Sequence, residues 1–489
     1  MSFVFDNTYG RLPGHFFAEV APTKVSSPRV VKVNRPLAAL LGLDADVLES
    51  PEGAQLLSGN AVPEGAASIA LAYAGHQFGH FVSQLGDGRA ILLGEVVGRD
   101  GKRRDLQLKG SGRTPFSRGG DGRAAIGPVL REYIVSEAMA AFGIPTTRAL
   151  AAVTTGDRVL RDQALPGAVL TRVAASHIRV GTFEYFAARG DRKALGTLAA
   201  YALERHYPDA VEAGNAPLAL LDRVIAAHAR LVALWLGVGF VHGVMNTDNT
   251  AISGETLDYG PCAFLDEYDP RKRFSSIDHG GRYAFANQPR IAHWNMVRFA
   301  EALLPVLADE EAEAERIATA SLQRFPGIFE AAHAGVLRDK LGLSTEEEDD
   351  PGLAGDLLER LAANEVDYTL FFRRLCASAA DPSADAGVAS LFADPAAFHD
   401  WAEAWRRRLA LEDVTPDARA RAMRRVNPAF VPRNHRIEEV IAAAAREDFA
   451  PFETMVRVLE RPYEEQPGFE SWSEAPRPEQ RVRATFCGT

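Results

Sequence analysis

The spacing of apolar residues predicts strands in the first part of the chain and helices after it. Short segments that alternate between apolar and polar residues are separated by turn residues such as Gly98 and Gly101. One helix is predicted among them, at residues 128–142, with Pro128 in its first turn and Gly143 as its C-terminal cap. The predicted strands are residues 90–97, 105–109, 148–153, 158–161 and 168–173.

Beyond residue 200, apolar positions recur at three- and four-residue steps, which is typical of amphipathic helices. The clearest run consists of Leu218, Leu221, Ile225, His228, Val232 and Trp235. Residues 301–325 predict a second long helix. Residues 461–489 are rich in Pro and Glu, so we expect irregular structure there.

A polar loop after Trp235 is built like the catalytic loop of a kinase. Kinase-like phosphotransferases carry a His, a catalytic Asp two residues later, an Asn further on, and then an Asp-Phe-Gly segment or a relative. The Asn and the last Asp hold the metals that bridge the nucleotide phosphates. Here Val244 stands where the catalytic acid belongs, while Asn249 and Asp258 keep the metal-ligand positions. The pattern predicts a site that holds a metal–nucleotide complex but is unfit for ordinary phosphoryl transfer.

The predicted order of elements is also that of a kinase: strands, one helix, further strands and then helices. We therefore predict an α+β, protein-kinase-like bilobal fold, with a β-rich small lobe and a mostly helical large lobe. The predicted segments are residues 1–75 (an N-terminal extension), 76–175 (small lobe), 176–400 (large lobe) and 401–489 (a C-terminal helical extension and tail).

Composition narrows the functional classes. The 489 residues carry a formal net charge of −11, which argues against nonspecific binding to nucleic acid or to anionic membranes. The three cysteines, Cys262, Cys376 and Cys487, are too widely spaced to predict a disulfide framework or a structural zinc site. The N-terminus lacks a signal-peptide pattern, and the longest apolar run, residues 231–241, is too short to span a bilayer. We expect a cytoplasmic location.

A polyanionic ligand would need a local cluster of cations, and the predicted small lobe supplies one. Gly86 and Gly88 precede Arg89 in a turn whose backbone N–H groups could approach a phosphate. Residues 110–123 form a long loop rich in Gly and Arg, with Asp121 among them, which suits an anion cradle.

Further candidates lie in the strands and the helix. Lys109, at a strand end, could pair with phosphates and be held by a carboxylate of the helix. Glu132 and Glu137 lie about 140° apart around that helix, so only one can face Lys109, and we favour Glu132. Arg172 and Arg179 could reach the same phosphates.

Asp248 directly precedes Asn249 and is the acid nearest to the predicted metal. It is therefore a candidate base towards an incoming hydroxyl group.

Together these stretches resemble the selenoprotein O (SelO, or YdiU) family. The matching motifs are residues 73–79, 84–89, 108–110, 120–123, 176–183 and 246–249. The resemblance implies a pseudokinase that binds ATP in a flipped orientation and transfers AMP to Ser, Thr or Tyr hydroxyls of proteins, with release of pyrophosphate.

The resemblance also implies roles for individual residues. Asp248 would be the proton acceptor, Glu132 the partner of Lys109, and Asn249 and Asp258 the ligands of Mg²⁺ or Mn²⁺. The implied ATP contacts are Gly86, Gly88, Arg89, Lys109, Asp121, Gly122, Arg172, Arg179 and Asp258.

Many members of this family end near a selenocysteine or a cysteine, and Cys487 matches that position. Some relatives have a second cysteine shortly after the Asp-Tyr-Gly stretch, but residues 274–278 contain none. The resemblance therefore does not carry a regulatory disulfide to this chain.

Four alternatives stay open at the level of sequence. They are UMP transfer from UTP, a kinase-like phosphotransferase in which Asp248 replaces the missing acid, a non-catalytic nucleotide-binding module, and a thiol redox function at Cys487.

Overall fold

The computed structural model describes residues 3–486, in which strands dominate the first part of the chain and helices the rest. The strands are β1 (Phe17–Glu19), β2 (Arg29–Val33), β3 (Ile69–Leu71), β4 (Gly75–Gln77), β5 (His80–Val82), β6 (Ala90–Val97), β7 (Arg103–Lys109), β8 (Ala124–Ala125), β9 (Arg148–Leu160), β10 (Ala164–Ala174), β11 (Phe240–Val241) and β12 (Ala263–Phe264). The helices are α1 (Arg35–Leu40), α2 (Ala45–Glu49), α3 (Pro51–Ser58), α4 (Ile126–Ala141), α5 (Val180–Ala187), α6 (Arg192–His206), α7 (Ala216–Gly237), α8 (Gln288–Leu307), α9 (Glu311–Leu322), α10 (Phe325–Leu341), α11 (Asp350–Ala363), α12 (Tyr368–Ala380), α13 (Asp385–Ala389), α14 (Pro395–Leu409), α15 (Pro416–Arg424), α16 (Asn434–Ala444) and α17 (Ala450–Leu459).

One antiparallel sheet carries most of the strands, in the order β1-β3-β6-β7-β10-β9-β2, with β8 paired to β10. Lys109 lies in the middle of this sheet, opposite Ala90 on β6 and Leu170 on β10. Residues 17–71 supply both edges of the sheet, so the predicted N-terminal extension forms part of it. The division of the chain into four segments otherwise stays a prediction.

Both faces of the sheet are covered. On one face α4 packs against β9 and β10, and α16 and α17 from the C-terminal part of the chain pack against α4. On the other face, apolar residues of the sheet such as Leu106 and Val153 pack with Leu37 of α1 and Leu57 of α3. The sheet that carries Lys109 is thus packed on both sides.

The helical part positions the polar loop. Asn215 caps α7 by accepting a hydrogen bond from Leu218 N at 3.1 Å, and α7 then delivers the chain into β11 and the loop at residues 242–249. The predicted amphipathic helix is confirmed. A sheet followed by helices confirms a mixed α and β architecture. Within residues 3–486 no helix is long and apolar enough to cross a membrane.

Two sequence predictions are wrong. The helix predicted at residues 301–325 is split among α8, α9 and the start of α10, because Pro305 cannot donate a backbone hydrogen bond and the chain is extended at Ala308. The two strands predicted at residues 148–153 and 158–161 are the single strand β9. Gly156, with φ +78°, lies at an irregularity in the pairing of β9 with β10, and in the sequence this position resembled a turn.

Candidate active site

A cavity with a volume of about 590 Å³ lies where the sheet meets the polar loop. Its walls carry seven cationic and four anionic side chains. They are Arg89, Lys109, Arg118, Arg123, Arg161, Arg172, Arg179, Asp87, Asp121, Asp248 and Asp258. The lining also includes Gly86, Gly88, Gly122, Val244 and Asn249. Every site residue predicted from sequence except Glu132 therefore lines one cavity, and Glu132 lies directly behind it.

Asp258 is the centre of the buried charges. Its Oδ1 accepts hydrogen bonds from Lys109 Nζ at 3.0 Å and Arg172 Nη2 at 2.6 Å, and its Oδ2 accepts from Arg179 Nη1 at 2.7 Å. Burial alone would raise the pKa of Asp258, but the three cations outweigh it and hold the pKa well below its ordinary value. The residue also adopts φ +64°, a strained conformation for a non-glycine residue.

Glu132 supports two of those cations from behind. Lys109 Nζ donates to Glu132 Oε2 at 2.6 Å, and Arg172 Nε donates to Glu132 Oε1 at 2.7 Å. Glu137 instead binds Arg148 at 2.7 Å. Lys109 therefore contacts Glu132 and not Glu137, because the helix period places the two acids on different faces of α4.

Asp248 presents a carboxylate that is nearly free of partners. Its Oδ2 accepts a hydrogen bond from Gln77 Nε2 at 3.1 Å, whereas its Oδ1 is buried and has no hydrogen-bond partner within the described residues. Burial raises the pKa of Asp248 to about 6. Arg179 Nη1 also binds the backbone oxygen of Asp248 at 2.5 Å, which links it to Asp258. Val244, at the position of the missing acid, lines the same cavity.

The hairpin of β4 and β5 fixes the polar loop, and sequence reasoning missed its role. His76 N donates to Thr247 Oγ1 at 2.6 Å, Gln77 donates to Asp248, and Phe78 N donates to Asn246 Oδ1 at 3.1 Å. Three consecutive residues of the hairpin thus hold three consecutive residues of the loop. The sequence contained one signal, the motif at residues 73–79, but a motif does not reveal which loop it contacts.

The oxygen donors at the loop fit a hard divalent cation. Asn249 Nδ2 donates to Val244 O at 3.0 Å, so its amide oxygen is the group left to meet a metal. Asp258 and the unpaired Oδ1 of Asp248 face the same cavity. Residues 3–486 contain no group of three or more His, Cys, Asp or Glu side chains suited to a metal. Mg²⁺ needs few protein ligands, because it keeps waters and binds phosphate oxygens for its remaining positions.

The Gly/Arg loop at residues 110–123 closes one side of the cavity. Gly86 has no room for a side chain because Phe116 of this loop lies where a Cβ atom would be. Asp121 is held by Arg161, whose Nη1 lies 2.9 Å from Asp121 Oδ2. Arg161 was not predicted, because its place beside the loop depends on the pairing of β9 with β10. Arg123 donates to the carbonyl groups of Thr23 and Lys24, which anchors the loop to the N-terminal segment.

Comparison with known proteins identifies the family of this chain. The family model described as protein adenylyltransferase SelO matches residues 1–460. The chain belongs to the SelO family. It is 63% identical over 494 residues to a protein nucleotidyltransferase YdiU of Methylorubrum populi, and the match covers 100% of this chain and 99% of the relative.

Two further relatives agree. YdiU proteins of Rhodopseudomonas palustris and of a Bradyrhizobium species are 61% and 62% identical over 488 residues, again with 100% of this chain and 99% of the relative covered. Both the resemblance and the predicted enzyme class are confirmed: this SelO-family chain is a nucleotidyltransferase.

The cysteines have no part in this cavity as far as the structure describes it. Cys262 and Cys376 are buried, and neither lines the cavity. Cys487, the candidate for a redox role, lies outside the described residues.

Proposed function

We propose that this SelO-family protein transfers AMP from ATP to Ser, Thr or Tyr hydroxyl groups of proteins and releases pyrophosphate. It would do so in a kinase-like bilobal fold that binds the nucleotide reversed relative to a kinase. The family description and the names of the relatives support protein substrates. The other support comes from the distribution of charge in the cavity.

The observation that carries the proposal is the convergence of Lys109, Arg172 and Arg179 at the deep end of the cavity. An adenine ring needs an apolar slot, and these buried charged groups do not offer one. A triphosphate tail matches them well, because guanidinium groups bind phosphate oxygens in a bidentate manner. With the β- and γ-phosphates there, the α-phosphorus would lie towards the mouth of the cavity and Asp248.

In the proposed step, the acceptor hydroxyl gives its proton to Asp248 while its oxygen bonds to the α-phosphorus. The bond from the α-phosphorus to the bridging oxygen breaks, and pyrophosphate leaves with the electron pair. Lys109, Arg172 and Arg179 would stabilise the negative charge that develops on the pyrophosphate. Asn249 and Asp258 would hold Mg²⁺ or Mn²⁺, which supplies further positive charge when bound.

Three of the positive charges that would meet phosphate are already matched by Glu132 and Asp258. These carboxylates keep the cations in place before the nucleotide arrives, which reduces the reorganisation needed in the transition state. Asp121 and Gly122 in the Gly/Arg loop, together with Gly86, Gly88 and Arg89, would complete the contacts to ATP.

A crystal structure with a nonhydrolysable ATP analogue and Mg²⁺ tests the proposal. We expect the terminal phosphates to contact Arg172 and Arg179, with the α-phosphorus as the phosphorus nearest to Asp248. A buried adenine ring, with the γ-phosphorus beside Asp248, would instead support a phosphotransferase. Parallel soaks with a UTP analogue would show which base the cavity accepts.

A further inference from the structure

A patch of arginines lies on the surface beside the polar loop, outside the nucleotide cavity. Along α8, Arg290, Trp294 and Arg298 follow one another at four-residue spacing and so share one face of the helix. The guanidinium groups of Arg282 and Arg298 pack against the Trp294 ring, 4.6 and 4.9 Å from its centroid. Arg273 Nη1 lies beside Gly281. We call Arg282, Arg290 and Arg298, together with Arg273 beside Gly281, the arginine patch.

The arginine patch contacts the residues that hold the polar loop. The edge of the His76 ring meets Trp294, with the ring centroids 5.3 Å apart, and His76 N binds Thr247 in the loop. Next to Arg282, Tyr283 donates its hydroxyl hydrogen to Asn246 Oδ1 at 2.6 Å. The patch is therefore separated by a single residue, His76 or Tyr283, from the loop that carries Asp248.

The charge of this patch is largely uncompensated. Within residues 3–486 no carboxylate lies within 4.0 Å of the guanidinium groups of Arg273, Arg282 or Arg290. Arg298 alone is paired, with Glu301 at 2.7 Å. The nearby Asp278 is buried and accepts the backbone N–H groups of residues 282 and 283.

Such a cluster is unexpected on a chain with a net charge of −11, because like charges repel one another unless an anion joins them. Three of the four arginines also retain access to solvent: Arg273 and Arg290 are exposed, and the Arg298 side chain keeps 24% of its surface. An acidic partner could therefore reach them without any change in the fold.

We infer that the arginine patch docks the acceptor protein through an acidic segment, with Asp or Glu residues flanking the Ser, Thr or Tyr hydroxyl. This inference rests on the proposed function, because it assigns the acceptor class to the same site. The indole ring of Trp294 holds two guanidinium groups in a fixed arrangement, so they can meet carboxylates at low entropic cost. Docking there places a hydroxyl a few residues away next to Asp248.

Direct binding tests the inference without any catalysis. Fluorescent peptides with one Ser are compared, one with Asp and Glu on both sides and a matched one with Lys in their place. We expect the full-length protein to bind the acidic peptide at least about tenfold more tightly, with a difference that shrinks as salt rises. Arg273→Glu/Arg290→Glu, which alters two exposed residues, should abolish the preference. Arg407→Glu, an exposed reversal on α14 whose side chain is 73% accessible, should leave it intact.

Transfer of AMP separates this inference from the proposed function. With ATP and Mg²⁺, the double variant should raise KM for the acidic peptide about tenfold and leave kcat and KM for ATP unchanged. Equal transfer of AMP to the acidic and Lys peptides would overturn the inference but would still support the proposed function. Patch-dependent binding without AMP transfer to any peptide would support docking and contradict the function. A single-stranded RNA that binds the patch more tightly than the acidic peptide would also overturn the inference.

Discussion

At the scale of single residues, Asp248 and its neighbour Gln77 determine whether the site can act. Asp248→Asn keeps the size of the side chain but removes the proton acceptor, so we expect AMP transfer to fall about 10²- to 10⁴-fold. Binding of ATP should stay unchanged, because the phosphates would meet Lys109, Arg172 and Arg179. Steady-state rates of AMP transfer test the first expectation, and titration of the variant with ATP tests the second. Undiminished transfer would exclude Asp248 as the base.

Gln77 is expected to act by positioning Asp248. Gln77→Leu removes the side-chain donor that the described residues supply to the Asp248 carboxylate, and we expect kcat to fall about ten- to a hundredfold with KM for ATP unchanged. His80→Ala, an exposed residue of the same hairpin, is the matched control and should behave like wild type. If both variants lose the same activity, the hairpin has only a structural role.

Among elements, the Gly/Arg loop at residues 110–123 depends on glycine at position 122. Gly122 has φ +67°, and a Cβ atom there would overlap the carbonyl group of Gly112. Gly122→Ala should therefore displace the loop and raise KM for ATP about tenfold or more, measured by steady-state kinetics. Gly119→Ala provides the control, since Gly119 shares the left-handed conformation at φ +85° but has open space around it. Equal effects in both variants would contradict a specific role for the loop geometry.

The elements also show how far sequence reasoning reaches. Local periodicity located the strands at residues 90–97 and 105–109 and the helix α7, because each depends on a short stretch of chain. It also limited the partner of Lys109 to one of Glu132 and Glu137, which lie on different faces of one helix. It could not predict that residues 17–71 complete the sheet or that the β4–β5 hairpin grips the loop at residues 246–248, since those contacts join positions far apart in sequence. Arg161 was missed for the same reason.

At the scale of the whole molecule, buried Lys340 makes stability depend on pH. Its Nζ donates to Asn427 Oδ1 at 2.9 Å and lies 4.0 Å from the centroid of the Phe372 ring. Burial lowers the pKa of Lys340 to about 7. The unfolded chain therefore binds more protons than the native protein between pH 7 and the ordinary pKa of lysine, and stability from this residue is lost as the pH falls towards 7.

Comparison with Lys340→Met isolates the contribution of Lys340 to the pH dependence of stability. Between pH 7 and pH 9 the free energy of unfolding of the wild type should rise relative to the variant by about 1.4 kcal/mol per pH unit. Urea denaturation at a series of pH values measures the difference. Parallel curves for the two proteins would show that Lys340 stays charged in the fold.

The whole account depends on which phosphorus of ATP faces the acceptor, and isotope labelling measures that most directly. The protein is incubated with Mg²⁺ and an acceptor protein, first with ATP labelled at the α-phosphorus and then with ATP labelled at the γ-phosphorus. We predict that label from the α position appears on the acceptor, that label from the γ position leaves as pyrophosphate, and that Asp248→Asn suppresses the transfer. Label on the acceptor from the γ position alone would contradict the account.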